Sequence, residues 1–270
     1  MSTRAVDAAG VEHAKAAPGA RIVSLVPSIT ELLFALKLDA QIVGRTGFCV
    51  HPRDKVRSVP KVGGTKAVKI DAVRALQPTH VIVNIDENER ETVEQLRAFV
   101  PHIVVTHPLE PRDNVTLYAL LGAVFDRDKE ARALSVELKK QLDACASREW
   151  PQQNVLYAIW RDPWMTVARD TYISTMLRLV NWQTLPAASG GEKGAARYPS
   201  FDFDAEWIAQ ADRVLLSSEP YRFTREHGDA LARDARLAGK RIALIDGERV
   251  SWYGSRAIEG IAYLMDYARR

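Results

Sequence analysis

The chain has 270 residues, 47% of them hydrophobic and 26% charged, with 37 Lys and Arg against 34 Asp and Glu for a net charge of +3. This is a globular composition at the length of one large or two modest domains, and the small basic excess, without a run of five Lys or Arg, excludes the electrostatic footprint of a nucleic-acid binder. Cys49 and Cys145 lie 96 residues apart, which excludes a disulfide-rich scaffold and paired CxxC zinc motifs, and no stretch approaches the 18 uninterrupted apolar residues that a bilayer span needs.

Residues 1–20 are expected to be a disordered N-terminal segment. Arg4, Asp7, Glu12 and Lys15 interrupt it, so it lacks the apolar core of a secretory signal, and no export address is expected in it. From residue 21, RIVSLV reads as a strand, Pro27 and Ser28 as a turn, and TELLFALKL as a helix capped by Ser28 or Thr30 with Leu32, Leu33 and Leu36 on one face. A short helix at DAVRAL ends at Pro78, and THVIVNI follows as a fully apolar strand. A polar helix at ENERETVEQLRAF then leads to a strand at HIVVTHP. Helices alternating with apolar strands imply a parallel α/β sheet covered on both faces.

The second half repeats this grammar. Ile22–Leu25–Val26 matches Val155–Ala158–Ile159, and Val81–Ile82–Val83 matches Val214–Leu215–Leu216, both at a step of 133 residues; Ile103 to Thr106 matches Ile242 to Ile245 at 139. The shared step points to two similar lobes. Between them, DKEARALSVELKKQLDACASREW places Ala131, Leu134, Leu138, Leu142 and Cys145 on a helical stripe started by Asp126 or Asp128, which makes Cys145 a packing residue rather than a reactive thiol. The expected organisation is therefore an N-terminal α/β lobe over 21–112, a helical connector over 113–149 and a C-terminal α/β lobe over 150–270. One long backbone helix joins the lobes, and a ligand cleft is expected between their strand ends.

Four loops carry more chemistry than a turn requires. RTGFCVHP offers Phe48 for stacking on a flat ligand, and Cys49 and His51, two apart on an extended segment, as the weak pair for a metal. NIDENER offers Asn84 and Asn88 as amide donors, unless its acidic run is a solvated helix start. AIWRDPWMTVARD carries Trp160 and Trp164, and SSEPYRF with DGERVSWYGSR adds Glu219, Tyr221, Trp252 and Tyr253; each is a ligand face or lobe packing. There is no GxSxG elbow, no HExxH and no P-loop, since GGTK at 63–66 lacks its upstream glycine. Glu219 with His227 is the one acid/base pairing the sequence offers, and nothing in it shows convergence. Non-enzymatic binding is the better-supported class.

Together, RIVSLVPSITELLFAL, VPKVGGTK, LQPTHVIVNIDEN, IWRDPWMTVARDTYI, VLLSSEPYRF and DGERVSWYGSR resemble the helical-backbone metal-receptor superfamily of ABC-transporter substrate-binding proteins, and most of all its cobalamin-binding branch, over residues 21–267. The resemblance implies two α/β lobes on one helix and a corrinoid, such as cobalamin or cobinamide, or a related chelate as ligand, delivered to a membrane permease. It implies no catalytic cofactor, and a monomer presenting both lobes to one partner. It places ligand-stacking aromatics near Phe48, Trp160, Trp164, Tyr198, Trp252 and Tyr253. It carries the family's permease-docking carboxylates onto Asp71 and Asp204, where the cobalamin-binding branch has Glu. The family works in the periplasm; for a chain without a visible export signal the expectation is divided between truncation, unusual export and a cytoplasmic place, and in the last case a role in handling or storing corrinoid. The other readings are an enzyme on the same scaffold and a bare-metal, siderophore or haem receptor.

Overall fold

The computed structural model describes residues 5–191 and 193–270. Its strands are short and aliphatic, and they assemble into two separate parallel sheets. The first orders β2 (Ile42–Arg45), β1 (Ile22–Ser24), β3 (His80–Asn84) and β4 (His102–Thr106) as β2-β1-β3-β4. The second orders β6 (Trp182–Thr184), β5 (Gln153–Ala158), β7 (Arg213–Ser217) and β8 (Arg241–Ile245) as β6-β5-β7-β8. The order is the same in both, and so is the register. Ile22 faces His80 and Val155 faces Arg213, each residue of the second pair lying 133 positions after its counterpart; His80 faces His102 and Arg213 faces Arg241, where the last step is 139. The expected α/β class with two similar parallel sheets is what the chain adopts.

Central strands β3 and β7 are buried along their whole length, as expected when helices cover both faces. Around the first sheet Val23, Leu25, Val81, Val83 and Val105 pack with Leu96 of α3 (Arg90–Arg97) and Val73 of α2 (Ile70–Ala75). Around the second, Leu156, Val214 and Leu216 pack with Phe203, Phe223 and Leu231 of α7 (Arg225–Leu231). Each fully buried aliphatic side chain contributes about 1.5–3 kcal/mol relative to exposure. The remaining helices are α1 (Pro27–Ala35), α4 (Asn114–Phe125), α5 (Asp128–Ala146), α6 (Tyr172–Arg178), α8 (Gly247–Ser251) and α9 (Arg256–Ala268).

The chain divides into two compact units. One runs to Pro108 and includes Arg112–Leu138 and Tyr253–Arg256; the other comprises Leu109–Pro111, Lys139–Trp252 and Ala257–Arg270. Helix α5 starts in the first and ends in the second, and at 19 residues it is about 28 Å long. Cys145 on its stripe is buried, its thiol donating to the Leu179 carbonyl at 3.3 Å. No helix among the described residues is long and apolar enough to cross a membrane.

Two local expectations are corrected. Neither Ser28 nor Thr30 caps α1, because Pro27 takes the first helical position, where its fixed φ is already helical and its missing N–H costs nothing, and Val26 is the N-cap. Thr30 instead sits inside the helix and returns its hydroxyl to the Val26 carbonyl at 3.0 Å. Nor is the N-terminal segment disordered where it is described; residues 1–4 lie outside the described residues. The Ala8 N–H donates to the Val105 carbonyl, and the buried Asp7 carboxylate accepts from Ala9, Val11 and Val105 N–H groups at 2.9–3.0 Å and pairs with His13 Nε2 at 2.9 Å. The segment closes the outer edge of β4.

His80, at the start of β3, stacks on His102 with ring centroids 4.7 Å apart and meets Phe125 edge-on, while its Nδ1 lies 2.8 Å from the Thr79 hydroxyl. Burial, and then the neighbouring His102 and His13, bring its pKa down from 6.5 to about 4. The unfolded chain therefore takes up this proton at a higher pH than the folded one, and between 6.5 and about 4 falling pH drains stability. We expect His80→Gln to flatten the pH dependence of the urea midpoint across that window; an unchanged slope contradicts the assignment.

Candidate functional site

In a parallel sheet all strands deliver their C-terminal ends to one side, so the loops that follow them form a single face. In the first unit that face is knitted by Asn88. Its amide donates to the carbonyls of Leu25 and Thr65 at 3.2 and 3.0 Å, and its oxygen accepts from the Asn84 N–H at 2.9 Å, so one side chain ties the loops after β1 and β3 to the 63–69 segment. Asn84 is equally committed. Its oxygen accepts from the Asp86 and Glu87 N–H groups in an Asx turn, and its buried amide nitrogen lies 3.5 Å from the Thr106 hydroxyl.

The loop after β2 separates two neighbours that the sequence grouped together. Phe48 is 63% exposed and stands over Gly64, where an added Cβ would come within 3.3 Å of its ring. Cys49 is fully buried, with its sulfur 3.0 Å from the Thr30 hydroxyl and 3.2 Å from that of Thr46, and burial raises its thiol pKa. A buried thiol with a raised pKa makes a poor open metal ligand. His51 is half-buried, and among the described residues no group of three or more His, Cys, Asp or Glu is placed to hold a metal. Tyr253, buried, donates its hydroxyl to Glu87, a residue the sequence reading left on a solvated helix start. Asp71 is exposed in the first turn of α2, whose N-cap is Lys69, so it does not cap that helix.

In the second unit, β5 runs into a tight excursion in which Trp160 and Met165 bridge antiparallel; the Ile159 N–H donates to the Met165 carbonyl and the Met165 N–H to that of Trp160. The loop after β7 lies alongside, its Tyr221 N–H donating to the Ile159 carbonyl. This brings Trp160, 40% exposed, edge-on to Tyr221 with centroids 5.7 Å apart. The Tyr221 hydroxyl meets His227 Nε2 at 3.2 Å, and His227 Nδ1 accepts from the Thr224 N–H at 3.0 Å, which assigns the imidazole proton to Nε2 and points it at the tyrosine. The Thr-x-x-His spacing that caps α7 was present in the sequence as a variant capping box.

Trp164 differs from Trp160. It is half-buried, stacks on Phe223 at 5.5 Å with ring planes 6° apart and meets Phe203 edge-on at 5.0 Å, which packs it against the core of the second unit. Trp252 is buried and spends its indole N–H on Glu219 at 2.7 Å; Ser251 donates to the same carboxylate oxygen at 2.5 Å. Burial raises the Glu219 pKa, against the opposing effect of these two hydrogen bonds. Glu219 and His227 thus have separate partners, and the acid/base pairing considered from sequence does not form. Tyr198 is half-buried beside a short turn at Ala195–Arg197. Asp204 is exposed, and Arg236 lies 3.1 Å away while also holding Asp234.

A family model described as periplasmic binding protein matches residues 22–240. An ABC transporter substrate-binding lipoprotein of Bacillus subtilis, YvrC, itself called uncharacterised, is 22% identical over 264 residues, covering 91% of this chain and 79% of that protein. Among solved structures, the periplasmic vitamin B12 binding protein BtuF of Vibrio cholerae superposes with a TM-score of 0.75 at 17% identity over 92% of this chain and 96% of its own. The periplasmic haem binding protein HutB of the same organism gives 0.75 at 20% identity over 93% and 100%. At these identities the structural likeness establishes the fold. The family match, the shared fold and the motifs spread over 21–267 agree, and the chain belongs to the periplasmic binding protein family.

Proposed function

We propose that this chain is the substrate-binding component of an ABC importer and that its cargo is a flat metal chelate of the corrinoid or haem class. The observation that carries the reading is the exposed Trp160 indole held edge-on by Tyr221 at the strand ends of the second unit. A large apolar ring kept partly in water by a rigid neighbour is a stacking platform, and tyrosine and tryptophan give contact area at little entropic cost. Phe48, exposed at the strand ends of the first unit, supplies a second such surface, and Tyr198 is a further contact.

Membership of a binding-protein family, together with relatives named for vitamin B12, haem and ABC transport, supports the cargo class and the importer. The buried Cys49 counts against a bare-metal receptor. Exposed Asp71 and Asp204 are the carboxylates proposed to dock on permease arginines, with Asp204 exchanging its Arg236 partner on docking.

Trp160→Ala tests the reading. Losing one stacking face of about 1.4 kcal/mol weakens chelate binding about tenfold. Fluorescence titration of parent and variant with cyanocobalamin and with haemin measures it. Equal affinities for both ligands in both proteins would remove Trp160 from the site and with it the observation on which the proposal stands.

A further inference from the structure

The internal duplication makes the two outer sheet edges directly comparable, and they are finished differently. Val105 in β4 and Leu244 in β8 occupy the same register, facing Val83 and Leu216. The backbone of Val105 is closed on its outer side by Asp7 and Ala8. In β8, Arg241 and Ile245 bond inward to the β7 chain, so at the two-residue period Ile242 and Leu244 turn their backbone groups outward. Tyr267 donates to the Leu244 carbonyl at 2.8 Å; the Leu244 N–H and both groups of Ile242 stay directed away from the sheet. An edge left so is a template for another strand.

The side chains there are equally unfinished. Leu244 is 41% exposed, whereas Val105 is buried. Beside it a groove of about 460 Å³ is lined by Ile242, Ala232, Leu237 and the aliphatic part of Lys240. The charge around this edge is positive. Arg225 lines the groove, Arg241 begins the strand, and neither enters an ion pair among the described residues; the Lys240 ammonium is held by the carbonyls of Ala209 and Ala211. Asp229 is the carboxylate in the lining. A second copy of this chain would bring the same cations against these, so like-charge repulsion disfavours self-pairing at the edge, while an acidic strand is attracted.

We propose that the β8 edge receives an extended acidic segment of a partner protein, which adds as a further strand on Ile242 and Leu244, sets an apolar side chain into the groove and places its carboxylates near Arg225 and Arg241. None of the residues of this surface is among the aromatics proposed to bind the cargo, and the proposal stands whether or not the cargo is a chelate.

The probe is a short fluorescein-labelled peptide alternating glutamate and valine, titrated with the full chain at low salt and read by anisotropy. The expected result is saturable binding that weakens at least about tenfold for the lysine–valine peptide, for a peptide N-methylated at alternate amides, and for the Arg225→Glu/Arg241→Glu protein with an unchanged circular dichroism spectrum. No binding of the acidic peptide, equal binding of the basic or N-methylated peptide, or full binding by the double variant overturns the proposal. So does a stable dimer, seen by sedimentation, that Leu244→Lys dissociates, since β8 would then be covered by a second copy.

Discussion

Trp164→Ala is expected to cost about 2–3 kcal/mol of folding stability, while Trp160→Ala, four residues away, costs less than about 1 kcal/mol. The two indoles leave the same excursion after β5, and their surroundings decide the difference. Trp164 lies parallel to Phe223 and edge-on to Phe203, and both of those rings are buried in the core of the second unit. Truncation removes the stacked contact with Phe223 and the edge contact with Phe203 and opens a void beside two buried rings. Trp160 already has 40% of its surface in water and one edge contact with Tyr221. Urea unfolding followed by circular dichroism measures both. Similar losses for the two variants would mean that Trp160 is a packing residue, and would weaken the stacking assignment.

The second large effect is expected at Asp7→Ala, with a loss of about 3 kcal/mol. One buried carboxylate accepts from three backbone N–H groups and pairs with His13, so its removal strands several donors at once and leaves an imidazole without its partner. Breaking a buried pair from one side typically costs about 3–5 kcal/mol, and detachment of the segment from β4 relieves part of that by letting water reach the freed groups. The same detachment gives a local signature. Hydrogen exchange at the Val105 amide should accelerate sharply in Asp7→Ala and stay slow in a Val6→Ala control, whose side chain is 41% exposed. An unchanged unfolding midpoint with unchanged Val105 exchange would show that the segment is held by other contacts.

Much of the fold was legible in the sequence because strands buried on both faces are written as uninterrupted aliphatic runs. Two halves built on the same plan repeat those runs at a fixed step. The match of Ile22 with Val155 and of Val81 with Val214 anticipated the observed register. What was not legible depends on partners distant in sequence. Asp7 bonds to a residue 98 positions away, and nothing in residues 1–20 announces it. Cys49 and Phe48 are neighbours in a loop, and only the threonines of α1 and of the β2 exit decide that one is buried and the other exposed. Trp160 and Trp164 look equivalent in AIWRDPWM because the rings that claim Trp164 lie about 40 to 60 residues on, at Phe203 and Phe223. Asn84 is an exception, since an Asx turn after a strand is a local signal that ENER obscured by looking like a plain helix start.

The central claim is that this protein binds a flat metal chelate without transforming it. The most direct measurement is to mix purified protein with cyanocobalamin, cobinamide, haemin or a ferric siderophore at micromolar concentration, desalt, and record the absorbance spectrum of the protein fraction. The expected result is retention of a corrinoid or haem in a one-to-one ratio, released chemically unchanged on unfolding. Failure of all four to co-elute with the protein, or release of a chemically altered chelate, would contradict the account.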